Sequence, residues 1–341
     1  MDCAQHRRGG TLFFSRPVRV TGFAAVGGRR EREGPFGGAL CETSEDGLFG
    51  EKTFEKAERR MQELASKEAA ARAGLFAPEL LLAGDLLNQC TASALAARTA
   101  GVPFLGLYGA CSTMAESLLL GAALVDGGFV NSSLCVASSH FCSAERQYRF
   151  PLEYGGVRPP TAQWTVTGAG AAVLSTDGEG PRLRAARPGR VIDYGVADAG
   201  NMGVCMAPAA CDTLCAFFRE TGSSPAEFDR IFTGDLGRLG RDLLSELLAR
   251  EGYPAGDRLC DCGTMIYDAG EQGVGMGGSG CGCSATVLCT YILPALRGGS
   301  LARVLFVATG ALLSPVSTGQ GENIPGIAHL ILLEGKEGER E

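Results

Sequence analysis

The amino-acid sequence predicts an α/β fold built from two duplicated halves. Two observations carry this prediction: apolar segments of strand length alternate with helix-length segments, and the second half repeats motifs of the first. Such alternation is typical of a parallel sheet with helical crossovers. The chain has 341 residues, which is long enough for two core units of about 150 residues each.

Four segments define the alternation in the first half. Residues 51–72 place apolar side chains at helical spacing and charges on the other face, which predicts an exposed helix. The run LLLAG (80–84) predicts a buried strand. Residues 110–128 predict an apolar helix that opens on a turn of small residues, and SLCVASS (133–139) predicts a second strand. This order is that of a crossover unit.

The second half repeats this plan. Residues 230–240 echo residues 80–90, since Gly-Asp-Leu directly follows an apolar strand in both. Residues 283–314 echo residues 111–142, and each of these segments begins with Cys-Ser at a predicted helix start, turns on Gly-Gly and ends in an apolar strand. The predicted parts are a flexible N-terminus (1–10), an N-terminal half (11–190) with an insertion (141–168), and a C-terminal half (191–336).

Composition excludes several classes of protein. Hydrophobic residues make up 45% and charged residues 20%, which rules out wholesale disorder. The net charge of −7 argues against a nucleic-acid partner. The start MDCAQHRRGG lacks the apolar stretch of a secretory signal, and the apolar runs 117–125 and 304–313 are too short to span a bilayer. We therefore expect an unsecreted, cytoplasmic protein whose 14 cysteines are reduced.

Cys111 is the strongest candidate for chemistry. It follows an apolar stretch and stands at the predicted first turn of a helix. Unpaired N–H groups and the helix dipole favour a thiolate or a bound anion at such a turn. Cys111 can therefore act as a nucleophile or mark an anion site, and the alternative is a small thiol packed in the core.

The other candidates have plainer alternatives. His140 ends a predicted strand, where parallel sheets present functional groups, whereas His329 is expected to be a core histidine. Asp85 and Asp235 follow apolar strands, where an aspartate either caps the next helix or acts in a site.

Two cysteine pairs invite a zinc interpretation. Cys260 with Cys262 and Cys281 with Cys283 are spaced more tightly than typical zinc ligands, so we expect no metal. The glycine-rich segment 275–283 lacks the lysine of a phosphate-binding loop, so we expect no nucleotide cofactor.

The duplicated halves, with a cysteine at a helix start in the first, resemble the thiolase superfamily. More closely, the chain resembles the stage V sporulation protein AD family of spore-forming Firmicutes, over about residues 11–334. The matching segments are LLLAGDLLNQ (80–89), PFLGLYGACST (103–113), ALVDGGF (123–129), SSHFCSAERQYRFPLEYGG (138–156), MAPAACDT (206–213), TGDLGRLG (233–240) and VATGALLSP (307–315). The resemblance implies a thiolase-like five-layer α-β-α-β-α fold and a homodimer, with segment 133–139 near the dimer seam.

The resemblance also implies a degenerate catalytic site. Cys111 occupies the nucleophile position of thiolases and ketoacyl synthases. Where those enzymes commonly offer two histidines, or a histidine and an asparagine, this chain offers Asp235 and, approximately, Cys281. An ionised aspartate cannot donate a hydrogen bond to an enolate oxygen. An active acyltransferase that uses Cys111 remains the alternative.

What the resemblance implies for function is non-enzymatic binding of dipicolinic acid, free or as its calcium chelate. Binding would support uptake of this ligand into the forespore during sporulation and its release during germination. The implied partners are the other SpoVA membrane proteins, and the implied location is peripheral to the forespore inner membrane. The predicted ligand-binding residues are Cys111, Ser112, His140, Asp235, Cys281 and Gly310.

Overall fold

The computed structural model describes residues 6–148 and 158–335. The strands are β1 Arg7–Arg8, β2 Thr11–Phe13, β3 Arg19–Gly28, β4 Glu42–Ser44, β5 Leu80–Gly84, β6 Phe104–Gly106, β7 Ser132–Ser139, β8 Trp164–Thr165, β9 Gly168–Ser175, β10 Arg182–Arg187, β11 Arg230–Thr233, β12 Leu259–Asp261, β13 Gly278–Ser279, β14 Arg303–Ala311 and β15 Gly326–Glu334. The helices are α1 Arg29–Glu33, α2 Phe54–Arg72, α3 Thr91–Ala100, α4 Thr113–Asp126, α5 Phe141–Tyr148, α6 Met202–Thr221, α7 Gly237–Arg250, α8 Cys262–Met265, α9 Ala269–Gln272, α10 Cys281–Val287, α11 Leu293–Arg297 and α12 Pro315–Gly319.

Two sheets with the same strand order form the centre of the fold. The first runs β3-β9-β7-β5-β6 and the second β10-β15-β14-β11-β12. In each sheet the last three strands are parallel, and the first two alternate in direction. The sheets meet edge to edge where Arg19 pairs with Arg182. The matching order confirms the predicted duplication.

Helices complete five layers. Helix α2 packs on β3 and β9, and α6 packs on β14 and β15, so these two helices cover the outer faces. Helix α4 contacts β7 of the first sheet together with β14 and β15 of the second. Helix α10 contacts β7, β9 and α4. The two helices therefore fill the middle layer of an α-β-α-β-α arrangement, as the resemblance implied.

Helix α2 shows how the outer layer is anchored. It begins at Phe54, three residues later than predicted, because the Thr53 hydroxyl caps it by accepting from the Lys56 N–H. Its buried face includes Met61 and several alanines, as the apolar spacing indicated, but also Glu58 and Gln62. A polar network therefore lies under this helix.

Two expectations concern β7 and the N-terminus. The segment predicted to lie near a dimer seam forms β7, whose residues are all buried between β5 and β9. Its position relative to a subunit seam stays a prediction. Strand β6 is the edge of that sheet. Within the N-terminus that was expected to be flexible, Arg7 and Arg8 pair with β2.

No helix in the described part of the chain combines the length and the apolar character needed to cross a bilayer.

Candidate functional site

Cys111 lies in a strained turn before α4. Residues Ala110–Ser112 form a single 3₁₀ turn, and Ala110 has φ +49°, a left-handed conformation that residues other than glycine rarely adopt. Strand β14 presses against this turn, since a Cβ on Gly310 would lie 2.4 Å from the Gly109 carbonyl oxygen and 3.3 Å from the Cys111 nitrogen. Only glycine permits this approach, which brings the two halves together at Cys111.

The Asp235 carboxyl of the second half lies close to the Cys111 thiol, near enough for the two groups to influence each other's ionisation. Burial raises the pKa of Asp235 to about 7. Burial and the nearby carboxyl of Asp235 raise the pKa of Cys111 well above its usual value. The helix start was expected to favour a thiolate, but at neutral pH these two effects keep the sulfur protonated.

The Asp235 carboxyl is held by three donors. The Gly280 N–H donates at 2.8 Å, the Ser279 hydroxyl at 3.2 Å and the Thr309 hydroxyl at 3.0 Å. The Gln163 amide holds the Asp235 carbonyl at 2.7 Å. These contacts tie the end of β11 to the start of α10, so that the carboxyl cannot swing away from Cys111.

Two further residues predicted for the site, Cys281 and Ser112, lie close to Cys111, but their side chains hydrogen-bond to backbone carbonyl oxygens. The Cys281 thiol is buried and donates to the Ser138 carbonyl oxygen at 2.8 Å. The Ser112 hydroxyl donates to the Gly109 carbonyl oxygen at 2.6 Å. Neither side chain is among the residues that line the cleft described below.

The start of α10 also needs a glycine. A Cβ on Gly282 would lie 2.6 Å from the Ser139 Oγ and 2.4 Å from the Gly168 carbonyl oxygen. The Ser139 hydroxyl accepts from the Gly282 N–H at 3.2 Å instead. Strands β7 and β9 together thus approach α10 as closely as β14 approaches the turn before α4.

The structure places His140 away from the site. Its Nδ1 accepts from the Cys142 N–H at 3.1 Å, so its Nε2 carries the proton and donates to the Gly47 carbonyl oxygen at 2.9 Å. Burial lowers its pKa, which keeps the ring neutral. The histidine links the Gly47 loop to the start of α5 and does not line the cleft. His329, as predicted, is a buried residue of β15, where it accepts from the Gly189 N–H.

A cleft lies beside Cys111, and the empty space in and around it measures about 540 Å³ when the open solvent at its mouth is included. Its walls are mainly apolar and aromatic: Leu86, Tyr108, Ala110, Cys111, Ala144, Glu145, Tyr148, Thr165, Ala199, Met202, Ser279, Ala311 and Leu313. The Tyr148 hydroxyl donates to the Leu86 carbonyl oxygen at 2.6 Å, so the Tyr108 hydroxyl donates to Tyr148 at 3.0 Å. Two linked aromatic rings therefore stand at the mouth.

One charged side chain lines the described part of this cleft. Glu145 is 4% exposed and pairs with Arg158 at 2.5 Å. Glu145 and the two tyrosines were missed as site residues, although they stand in the segments that carried the family resemblance. Among the described residues, no three His, Cys, Asp or Glu side chains converge as metal ligands.

The fold defines a protein of thiolase-like architecture. Among solved structures, the chain is similar to 3-oxoacyl-[acyl-carrier-protein] synthase III from Aquifex aeolicus, at 12% identity and a TM-score of 0.55, over 93% of this chain and 99% of that chain. It is also similar to cerulenin-bound OleA from Xanthomonas campestris, at 14% identity and a TM-score of 0.63, over 96% and 99%. Identities this low show the fold alone.

The sequence comparisons are more specific. The stage V sporulation protein AD family matches residues 8–334. Stage V sporulation protein AD of Bacillus subtilis strain 168 is 43% identical over 326 residues, which span 95% of this chain and 96% of that protein. The chain therefore belongs to the stage V sporulation protein AD family.

Proposed function

We propose that the chain binds dipicolinic acid, free or as its calcium chelate, in the cleft beside Cys111 and does not catalyse acyl transfer. The observation that carries the proposal is that the buried Cys111 thiol lies close to the buried Asp235 carboxyl. A buried thiol with a raised pKa is a poor nucleophile, and a carboxyl in place of a histidine gives no cation to activate it.

The lining of the cleft suits a small aromatic ligand. Tyr108, Tyr148 and Met202 offer apolar faces on which a pyridine ring can stack. One ligand carboxylate would lie at the Cys111 turn, where the N-terminus of the 14-residue helix α4 favours a negative charge. Gly310 would supply a second backbone donor there. Such a pocket holds a ligand without needing a proton donor for chemistry.

The same proposal places the chain in a larger assembly. Binding in the cleft would support uptake of dipicolinic acid into the forespore and its release at germination, together with SpoVA membrane proteins at the forespore inner membrane.

A second copy of the chain would pair along β6, because this edge strand exposes Leu105 by 44%. Light scattering should return a dimer, and Leu105→Glu should shift it towards monomer.

Calorimetric titration with dipicolinic acid, with and without calcium, tests the proposal. Saturable binding is expected for the unmodified protein, and Cys111→Phe should abolish it by filling the cleft. Cys41→Phe is the matched control, since Cys41 is exposed and outside the cleft. No saturable binding in either titration would overturn the proposal.

One observation favours an acyltransferase instead: the strained turn that presents Cys111 is retained, with Ala110 at φ +49°. An acyltransferase would release free coenzyme A from acyl-coenzyme A, and Cys111→Ala would abolish this turnover. We expect no turnover above that of the Cys111→Ala protein.

A further inference from the structure

Helix α2 covers two buried carboxyl groups that belong to one hydrogen-bonded network. Glu58 of this helix is 1% exposed, and Asp85, which follows β5, is fully buried. Gln62 joins them through two serines, since its Nε2 donates to the Ser138 hydroxyl at 2.8 Å and to the Ser93 hydroxyl at 2.9 Å. None of these five side chains lines the cleft.

The hydrogen atoms of this network can be assigned in turn. The Gln62 amide has two hydrogens, and the two serine oxygens are its nearest acceptors. The Ser93 hydroxyl therefore donates to Asp85 at 2.6 Å. In the same way the Ser138 hydroxyl donates to Glu58 at 3.0 Å. Asp85 also accepts from two backbone N–H groups, at 2.9 Å and 2.8 Å. Three donors make Asp85 the ionised member of the pair.

Glu58 has no comparable support for a negative charge. Within the described residues only two serine hydroxyls reach its carboxyl, and neither Glu58 nor Asp85 forms an ion pair there. Arg59 of α2 and Arg146 of α5 pair with other glutamates, and burial keeps the Cys281 thiol of α10 neutral. Burial and the Asp85 charge raise the pKa of Glu58 to about 8. One proton therefore stays in the network at neutral pH, and it belongs to Glu58.

The position of this proton follows from Ser143 of α5. Its hydroxyl oxygen lies 3.0 Å from Glu58 Oε2 and 3.2 Å from the His140 carbonyl oxygen. Because Ser143 has one hydroxyl hydrogen, both contacts are full hydrogen bonds only when Oε2 carries the proton. Glu58 then donates to Ser143, and Ser143 donates to the carbonyl. The His140 ring takes no part, since it is neutral and donates to the Gly47 carbonyl oxygen.

We infer that Glu58 is a positioning residue of the cleft, which holds helix α5 in place by donating its proton to Ser143. The residues that α5 supplies to the cleft wall are Ala144, Glu145 and Tyr148, so the hydroxyl held by Glu58 directly precedes this wall. The consequence for binding rests on the proposed function, whereas the proton and its bond to Ser143 do not.

Loss of the proton should loosen the start of α5. An ionised Glu58 accepts the Ser143 hydrogen, which leaves the contact with the His140 carbonyl without one, and it places a second negative charge beside Asp85. The far end of the helix stays fastened, because its last two side chains, Gln147 and Tyr148, both donate to one carbonyl oxygen of the cleft wall. We therefore expect the wall to be firm below about pH 8 and looser above it.

Two measurements test the inference without a ligand. Infrared spectra should show the C=O stretch of a protonated carboxyl that disappears as pH rises through about 8 and that Glu58→Gln lacks. The Ala144 N–H, which donates to the His140 carbonyl oxygen at 3.0 Å, reports on α5. Its protection from hydrogen exchange, corrected for the intrinsic effect of pH, should fall about fivefold over the same range.

Glu58→Gln is the decisive variant, because its amide donates to Ser143 at every pH while its oxygen still accepts from Ser138. Protection of α5 should then no longer depend on pH, whereas Asp85→Asn should move the loss to lower pH. Glu116→Gln makes the same exchange at a half-buried carboxyl of α4 and should reproduce the unmodified profile. An unchanged infrared band in Glu58→Gln, or a pH-dependent loss of protection that persists in it, would overturn the inference.

Calorimetry with dipicolinic acid then examines the consequence for the cleft. Between neutral pH and pH values above 8, the unmodified protein should lose about threefold more affinity than Glu58→Gln. Equal losses in the two proteins would show that Glu58 does not position the wall. If neither protein binds dipicolinic acid, the proposed function fails, and the infrared and exchange measurements still decide whether Glu58 holds α5.

Discussion

Asp85 and Asp235 hold the same place in the two halves, yet they support different structures. Asp85 accepts from the Leu87 N–H at 2.9 Å, and from the Ser93 N–H at 2.8 Å and its hydroxyl at 2.6 Å, so it fastens the start of α3. The Asp235 carboxyl accepts from Ser279 of β13, from Gly280 just before α10 and from Thr309 of β14, and none of these donors belongs to the helix that follows Asp235.

In the second half the capping role has moved to Asp261. Its carboxyl accepts from the Leu236 N–H at 2.8 Å and the Gly237 N–H at 3.0 Å at the start of α7. Asp235 is therefore free to face Cys111. The comparison shows how a duplicated motif can change its role once a third carboxylate takes over the structural task.

The surroundings of the two aspartates differ as well. Asp85 lies near Glu58, and burial together with this neighbouring carboxyl raises the pKa of Glu58 to about 8. The Ser138 and Ser143 hydroxyls each form a hydrogen bond with Glu58 at 3.0 Å. In the first half, then, the aspartate belongs to a closed polar network under α2, whereas Asp235 stands directly behind the wall of the cleft.

The largest expected effect is the pH dependence that Asp235 gives to stability. Folded Asp235 keeps its proton up to about pH 7, but the unfolded group loses it near its ordinary pKa of 3.8. Its contribution is therefore fully present below that value and is lost as pH rises towards 7, by about 4 kcal/mol in total. Urea unfolding of Asp235→Asn across this window should lack this loss.

A matched substitution in the first half sharpens the result. Asp85→Asn removes the carboxyl that helps to raise the pKa of Glu58. The loss of folding stability that accompanies ionisation of Glu58 should therefore occur at lower pH in this variant. Identical pH profiles for Asp235→Asn and the unmodified protein would show that Asp235 is ionised in the folded state.

The next effect separates stability from binding. Asp85→Ala leaves the buried Ser93 and Leu87 N–H groups without an acceptor and should lower the free energy of unfolding by about 3 kcal/mol. Because Asp85 does not line the cleft, affinity for dipicolinic acid should change less than twofold. Asp261→Ala should behave likewise in the second half. A loss of affinity at unchanged stability would contradict the structural role.

A smaller effect concerns the two thiols nearest Asp235. Cys111→Ala removes one wall group and should weaken binding of dipicolinic acid by about 1–2 kcal/mol in calorimetry. Cys281→Ala should leave the affinity within twofold, because that thiol bonds the Ser138 carbonyl oxygen and does not line the cleft. Equal losses in the two variants would place Cys281 in the ligand site after all.

The smallest effect is on thiol reactivity. Asp235→Asn removes a negative charge beside Cys111 and should lower its pKa, so alkylation by iodoacetamide should accelerate severalfold. Mass spectrometry of the Cys111 peptide measures this rate, with the exposed Cys41 as internal reference. An unchanged ratio of the two rates would argue against repulsion between Asp235 and the thiol.

Sequence patterns predicted elements better than they predicted the site. The bounds of β5 and β7 follow from short apolar runs, and helix α4 from its apolar composition, because burial of a whole segment leaves a local signal. The approach of Asp235 to Cys111 was accessible only through the family resemblance. Tyr148 and Met202 meet across the cleft from distant segments, and no local pattern encodes such a meeting.

The two close contacts in the middle layer make the halves non-interchangeable modules. In one contact the strand supplies the small residue, Gly310 against the Cys111 turn; in the other the helix start supplies it, Gly282 against Ser139. In a protein assembled from two copies of the first half, the serine at the end of one strand would face a turn that has no glycine to make room for it. The duplicated fold has thus become an obligate pair of unlike parts, although its symmetry survives in the strand order and in the layers of helices.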